Sequence, residues 1–274
     1  MRVSLTFLAL LFGLAGWSFG FEPGWLQQRH LEVVSAQWKG EELKIAVASD
    51  FHAGAPHAGL GMVRQAVAEI NSAQPDLVLL PGDFVIRGII GGTLTEAEPI
   101  AAELAALKAP LGVFATLGNH DWWYDGGRVR KALEDVGIRV IENGAVPLSL
   151  ASTKLWLVGI GDDMTDHADP VKAFAGVPLD AQVIVMMHDP ANLPELPRKA
   201  MFAVAGHTHG GQVRLPLVGA LITPGRAPRS HAYGWIEGAL TPTYVTSGVG
   251  TSILPVRFNC PPETVILQLK GRAA

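Results

Sequence analysis

The sequence contains a single cysteine in 274 residues, Cys260, so neither an internal disulfide nor a thiolate zinc site can be built from it. A small, buried apolar residue is the reading left for that side chain. There is no Ser/Gly-rich run, no block of like charge and no shift in composition along the chain, so nothing marks an internal linker. No unit of 20–50 residues recurs, which excludes a solenoid or propeller. An excess of positive charge is also missing. The net charge is −4 and the pI about 6.1, and nucleic acid is not an expected partner. What is present is 49% hydrophobic with 31 Gly and 19 Pro, a composition suited to one packed domain with many tight loops.

The first twenty residues stand apart from the rest. Arg2 precedes the uncharged run Val3–Gly20, which ends in the small residues Ser18 and Gly20. One basic residue, an apolar stretch and small residues at a cleavage point make a secretory signal peptide. Eighteen apolar residues also just reach the length of a membrane span, so an N-terminal membrane anchor is the alternative. Either way, Arg2 holds the near end in the cytoplasm and sends residues 21–274 across. The expectation is an extracytoplasmic domain, released or tethered.

Residues 21–42 read as a lead-in with a first edge strand. Three short apolar runs follow at 43–48, 77–80 and 111–116, each followed by a helical pattern or cap: 59–73 with Val63, Ala66, Val67 and Ile70 on one face, a Thr95-x-x-Glu98 capping box opening a helix to Leu107, and 127–136. A strand returns at 138–141. From Val146 the chain becomes strand-rich, with runs at 146–150, 155–160, 183–187, 201–205, 243–247 and 264–269, and one short helix at 170–175. An α/β half followed by a β-rich half predicts two sheets packed face to face with helices outside. The early strands, joined through helices, are expected to be mostly parallel.

The chemistry lies at the strand ends, where open α/β sheets form their crevices. Asp50-Phe51-His52 follows the first run, Gly82-Asp83 the second and Gly118-Asn119-His120-Asp121 the third; His188-Asp189 and Gly206-His207-Thr208-His209 follow two later strands. Five of the nine histidines fall in these segments, so the clustering is not a matter of abundance. An extended segment would point His207 and His209 to opposite sides, but the flanking glycines let the backbone bend. A donor set of Asp, Asn and His suits Mn²⁺, Zn²⁺ or Fe²⁺ and not an oxygen-only calcium cage. A carboxylate shared by two such ions holds them about 3.5–4 Å apart, and the pair clamps the oxygens of a phosphoryl transfer while acidifying a bound water.

These five motifs, spanning residues 50 to 209, resemble the signature of the calcineurin-like metallophosphoesterase superfamily, and Gly210–Pro216 is similar to its membrane-associated bacterial branch. The resemblance implies an α/β fold, a four-layer αββα sandwich with two packed mixed β-sheets. It implies two divalent ions: Asp50, His52 and His209 on the first, Asn119, His188 and His207 on the second, and Asp83 bridging. His120 would face the substrate phosphate and Asp121 would orient His120. The activity implied is hydrolysis of a phosphate ester, a diester before a monoester, by a metal-bridging hydroxide. Alternatives within the same site are a pyrophosphate hydrolase acting on a lipid-linked nucleotide such as UDP-2,3-diacylglucosamine, or a metal-binding scaffold without turnover. Trp122-Trp123-Tyr124 is a candidate aromatic lip, Asp162-Asp163 a turn, and Arg214, Arg226, Arg229 and Arg257 are candidate phosphate grips or surface charges.

Overall fold

The computed structural model describes residues 5–151, 153–236 and 238–272. Arg2, on which the expected sidedness rests, lies outside the described residues. The strands in chain order are β1 (Gln27–Ser35), β2 (Leu43–Val47), β3 (Leu77–Pro81), β4 (Val113–Thr116), β5 (Arg139–Val140), β6 (Gly144–Ser149), β7 (Lys154–Ile160), β8 (Gln182–Met187), β9 (Phe202–Ala205), β10 (Arg214–Leu215), β11 (Gly219–Ala220), β12 (Gly234–Trp235), β13 (Thr243–Val245) and β14 (Glu263–Gly271). The helices are α1 (Leu5–Gly16), α2 (Leu60–Ser72), α3 (Ala97–Leu104), α4 (Asn119–Asp135) and the single turn α5 (Pro170–Ala173).

Two six-stranded mixed sheets result. One has the order β1-β14-β2-β3-β4-β5, with β2 to β5 parallel as expected, and the other the order β12-β13-β9-β8-β7-β6. Side chains alternate across a strand, so β2 sends Ile45 and Val47 to one face and Ala46 and Ala48 to the other. The first face meets Leu157, Ile184, Met186 and Phe202 of the second sheet in a dry inter-sheet core. The opposite face carries α2, α3 and α4 through Val67, Ile70, Ile100, Leu104 and Leu133. Ala173, Phe174 and Val177 cover the outer face of the second sheet. Each fully buried Leu or Ile adds about 2 kcal/mol from removal of apolar surface, so this three-seam core holds the strand ends rigidly in place. The architecture is the expected αββα sandwich, with its second helical layer reduced to one turn.

Two helix starts differ from the sequence reading. Helix α4 begins at Asn119, inside the motif, and bends at Asp125 (φ −178°, ψ 90°), so the 127–136 pattern is only its second half. Helix α3 is preceded by Glu96 without a side-chain cap, and Glu98 is drawn off by Arg128 of α4 (2.7 and 2.8 Å), which is why the Thr95–Glu98 box does not form. Helix α1 buries no residue against the domain.

Candidate metal centre

Because β2, β3 and β4 lie beside one another and β8 faces β3 and β4 across the sandwich, the ends of these strands and of β9 bring their loops to a single edge. Asp50, His52, Asp83, Asn119, His188, His207 and His209 all arrive there, and none is more than 3% exposed. Five of them turn the chain through the left-handed region: Asp50 (φ 53°), His52 (42°), Asp83 (58°), His207 (69°) and His209 (50°). Non-glycine residues seldom adopt that conformation, and its concentration here marks a constraint imposed by what the side chains must reach. It also answers the question of alternation, since both histidines of the His207–His209 pair bend the backbone themselves. Gly82 is needed for proximity as well as for turning: a Cβ there would lie 2.6 Å from the Gly118 amide nitrogen and 2.9 Å from His188 Nδ1.

The cluster has the wrong polarity to be satisfied by itself. His188 Nδ1 faces the Pro81 carbonyl (2.6 Å), His52 Nδ1 that of Thr251 (3.1 Å) and His209 Nδ1 that of Gly250 (3.3 Å). A ring nitrogen facing a carbonyl carries the hydrogen, so in the neutral tautomers assigned this way each Nε2 presents a lone pair. Those lone pairs converge on other acceptors. His52 Nε2 lies 2.9 Å and His188 Nε2 3.3 Å from Asp83 Oδ2, His188 Nε2 lies 3.2 Å from Asn119 Oδ1, and His209 Nε2 lies 3.5 Å from Asp50 Oδ1. His207 Nδ1 adds to this at 3.1 Å from His188 Nε2. Backbone carbonyls hold the outer nitrogens and leave the inner ones aimed inward, the usual arrangement around a metal. Metal ions at the centre, or protons on the inner ring nitrogens in their place, satisfy such a set. Two three-residue groups could each hold an ion, Asp50/His52/His209 and Asp83/His188/His207, and a third, His52/Asp83/His120, lies between them with Asp83 shared.

Electrostatics follow from that geometry. Burial raises the Asp50 carboxyl. Burial also works against charge on both Asp83 and His188, but each favours the charged form of the other, so Asp83 sits well below the usual carboxylate range and His188 well above the usual imidazole range. Burial, reinforced by the neighbouring histidines, lowers His207 to about 3 and puts His209 well below its ordinary value. Without metal at pH 7, His188 therefore carries a proton that an ion must displace. Loading the Asp83/His188/His207 group is expected to release about one proton per ion, and affinity should climb about tenfold per pH unit as pH rises toward the raised His188 value. Calorimetry in buffers of different ionisation heat measures the release, and pH-independent affinity would contradict it.

His120 is half-buried at the mouth, its ring 4.7 Å from His52 and 4.9 Å from the exposed Trp123. Burial lowers it to about 4, against the pull of Asp83, so it is neutral at pH 7. Its amide donates to Asp83 Oδ1 (2.9 Å). The two oxygens of Asp121 accept from the amides of Asp83, Phe84, Val85 and Gly118 (2.8–3.1 Å), so it fixes the backbone at and just after Asp83 and ties it to Gly118.

The remaining candidates divide. Of the aromatic trio only Trp123 lines the mouth: Trp122 stacks on His167 and Tyr124 bonds Glu96 beneath Arg87. Asp162 caps its own turn through Thr165, and Asp163 pairs with Arg226. Arg214 lies over Tyr233, and Arg229 reaches the Leu221 carbonyl. Arg257 is neither a grip nor a surface charge. It is fully buried and donates to the carbonyls of Ser247, Gly248, Gly250 and Cys260. Cys260 is buried as expected. Sequence reasoning named Asp189 beside His188 but gave it no role; its Oδ2 lies 3.6 Å from His207 Nε2 and has no hydrogen-bond partner within reach. It stands next to His188, and that adjacency was the one available signal. Sequence reasoning missed the 248–252 loop, which contributes backbone amides and carbonyls and so leaves no side-chain trace.

The family described as calcineurin-like phosphoesterases matches residues 43–211. The chain is 32% identical to the uncharacterized metallophosphoesterase YkuE of Bacillus subtilis (strain 168) over 233 residues, 83% of this chain and 79% of that one. It is 29% identical to the phosphodiesterase YaeI of Escherichia coli (strain K12) over 255 residues, 90% of each. Among solved structures, a 5'-nucleotidase precursor from Thermus thermophilus aligns with a TM-score of 0.46 at 13% identity, over 77% of this chain and 50% of that one.

Proposed function

Because the chain belongs to the calcineurin-like phosphoesterase family and is a metal-dependent phosphoric ester hydrolase, we propose that its buried centre holds two divalent ions and cleaves phosphodiesters in preference to monoesters. Asp50, His52 and His209 would hold one ion, Asn119, His188 and His207 the other, and Asp83 would touch both. The observation carrying this reading is the inward convergence of lone pairs on the shared Asp83 carboxylate. Mn²⁺, Zn²⁺ and Fe²⁺ fit the donor set. Bound there, two ions neutralise phosphoryl charge and acidify a water to a nucleophile at neutral pH.

The chain's own residues do the rest. Neutral His120, at the mouth, can donate a hydrogen bond to a non-bridging or leaving oxygen of the ester. Asp121 keeps the Asp83 turn rigid. Diester preference is supported by the similarity to YaeI, a phosphodiesterase. The test is hydrolysis of bis(p-nitrophenyl) phosphate against p-nitrophenyl phosphate by metal-stripped protein refilled with each ion. Faster diester turnover is expected, falling about 10²–10³-fold in His120→Ala with both ions retained. Equal or faster monoester turnover would reverse the preference, and protein that binds no metal would remove the reading altogether.

The N-terminal segment is proposed to stay attached as a membrane anchor. Leu5–Gly24 is long and apolar enough to cross a membrane by length and composition. Its C-terminal part is docked on the domain: Ser18 is buried with its carbonyl accepting from the Arg257 amide (2.9 Å), and buried Glu22 accepts from Trp17 Nε1 and the Cys260 amide (2.6 Å each). A protease cleaving after Gly20 would have to displace Ser18 first. Intact mass of protein extracted from membranes should include residues 17–22, and a mass beginning at Phe21 would refute retention.

A further inference from the structure

An apolar trough of about 470 Å³ opens beside the centre, with His209 at its inner end and Val213, Leu221, Ile222, Ile253, Leu254 and Val256 along it. Both walls start from the centre itself. One leaves Thr251, whose carbonyl holds His52, and continues to Ile253 and Leu254. The other runs from Ile222 through Pro224 to Gly225, where a Cβ would stand 3.0 Å from His207 Nε2. Ile222 and Ile253 are 76% and 73% exposed at the rim, and Leu217 and Val218 extend the apolar surface beyond it. A soluble phosphate ester has no use for such a surface, whose exposure to water is unfavourable.

The same edge carries the anchor. Val256 lines the trough, and the next residue, Arg257, binds the Ser18 carbonyl. Helix α1 is exposed along its whole length, and Trp17, Phe21 and Trp25 cluster at its foot, ring to ring at 4.7–5.9 Å. Aromatic clusters of this kind favour the membrane interface. The stretch long and apolar enough to cross a membrane, Leu5–Gly24, includes the turn Trp17–Phe21 that is bonded to the domain edge. An anchor that uses this helix must therefore draw Trp17–Phe21, and the domain edge bonded to it, down to the membrane boundary. The trough lies on that edge.

We propose that the rim of the trough rests in the bilayer that holds α1, and that the trough receives the hydrocarbon chain of a membrane-borne phosphate ester whose phosphate reaches the metal centre. The substrate part of this rests on the phosphoesterase reading, and the seating of the rim does not.

The test uses the full chain in nanodiscs of phosphatidylcholine and phosphatidylglycerol. A polarity-sensitive fluorophore is placed at Ile222→Cys or Ile253→Cys, with Leu179→Cys, which is exposed before the opposite end of β8, as reference; native Cys260 is buried and escapes the label. Lipid carrying a doxyl quencher near the headgroup should quench both rim labels several-fold more than the reference, and equal quenching at all three positions overturns the proposal. In the same discs, dodecyl p-nitrophenyl phosphate should exceed methyl p-nitrophenyl phosphate by about tenfold or more in kcat/KM, and the Ile222→Asp/Ile253→Asp double variant should erase that ratio. Turnover of bis(p-nitrophenyl) phosphate should be unchanged in the double variant. Equal kcat/KM for the two esters in the wild type overturns the chain-binding role. Quenched rim labels with no ester hydrolysed under any metal uphold the membrane seat and overturn the hydrolase reading instead.

Discussion

Asp83→Asn is expected to cut turnover by about 10³-fold or more, a loss of about 4 kcal/mol in transition-state stabilisation. Asparagine keeps the shape, so the fold has no reason to change. What it cannot keep is the pair of negative oxygens. Asp83 Oδ1 accepts from the His120 amide while Oδ2 faces the lone pairs of His52 and His188. An amide in that place meets one of two conflicts. Either its NH₂ points at the His120 N–H and leaves donor against donor, or it points at the two imidazoles and occupies the space of the ions. The variant should therefore bind fewer than two ions by elemental analysis. A second consequence separates loss of charge from loss of fold. The Asp83 carboxylate is what lifts His188 above its ordinary value, so proton release on metal loading should also fall away. Near wild-type turnover with two ions bound would show that Asp83 does not bridge.

Arg257→Met is expected to be the most destabilising substitution outside the ligands. The guanidinium is fully buried, and burial lowers its pKa, yet it donates to four backbone carbonyls of the 247–260 segment. Methionine replaces the volume and removes the guanidinium donor from all four carbonyls, at a cost of about 3–5 kcal/mol, or roughly 10 °C in Tm for a chain of this size. The damage should not be uniform. Gly250 is one of the four, and its carbonyl also faces His209 Nδ1, so the ion proposed for Asp50, His52 and His209 should weaken before the one proposed for the second group. Thermal denaturation with and without metal, together with sequential metal titration, checks both parts. A Tm within about 2–3 °C of wild type would mean the 247–250 turn holds itself.

Most of the centre was legible because its side chains are coded next to strand ends. An apolar run followed at once by Asp50-x-His52, Gly82-Asp83 or Gly206-His207-x-His209 states both the element and the group it delivers, and parallel strands put all such ends on one edge. The two-sheet division was readable for the same reason, since α-linked strands and loop-linked strands differ over a few residues. Asp121 shows the limit. Its place in the motif marked it as important, but its bonds to the amides of Asp83, Phe84 and Val85 were not readable, because only the folded chain brings those amides to it.

By itself, then, the sequence determined the two-sheet class, the strand-end positions and the residue types of the centre, all of which depend on neighbours within a few positions. The tertiary structure alone decided how those residues are held and which way they face. The Thr251 carbonyl meets His52 from 199 positions away, the Glu22 carboxylate meets the Cys260 amide across 238, and β14 enters between β1 and β2 to close the first sheet. Such contacts are made by backbone groups common to every residue, or by side chains such as Arg257 whose burial depends on everything packed around them. No local period or spacing records them, because the free energy that selects them belongs to the whole packed chain.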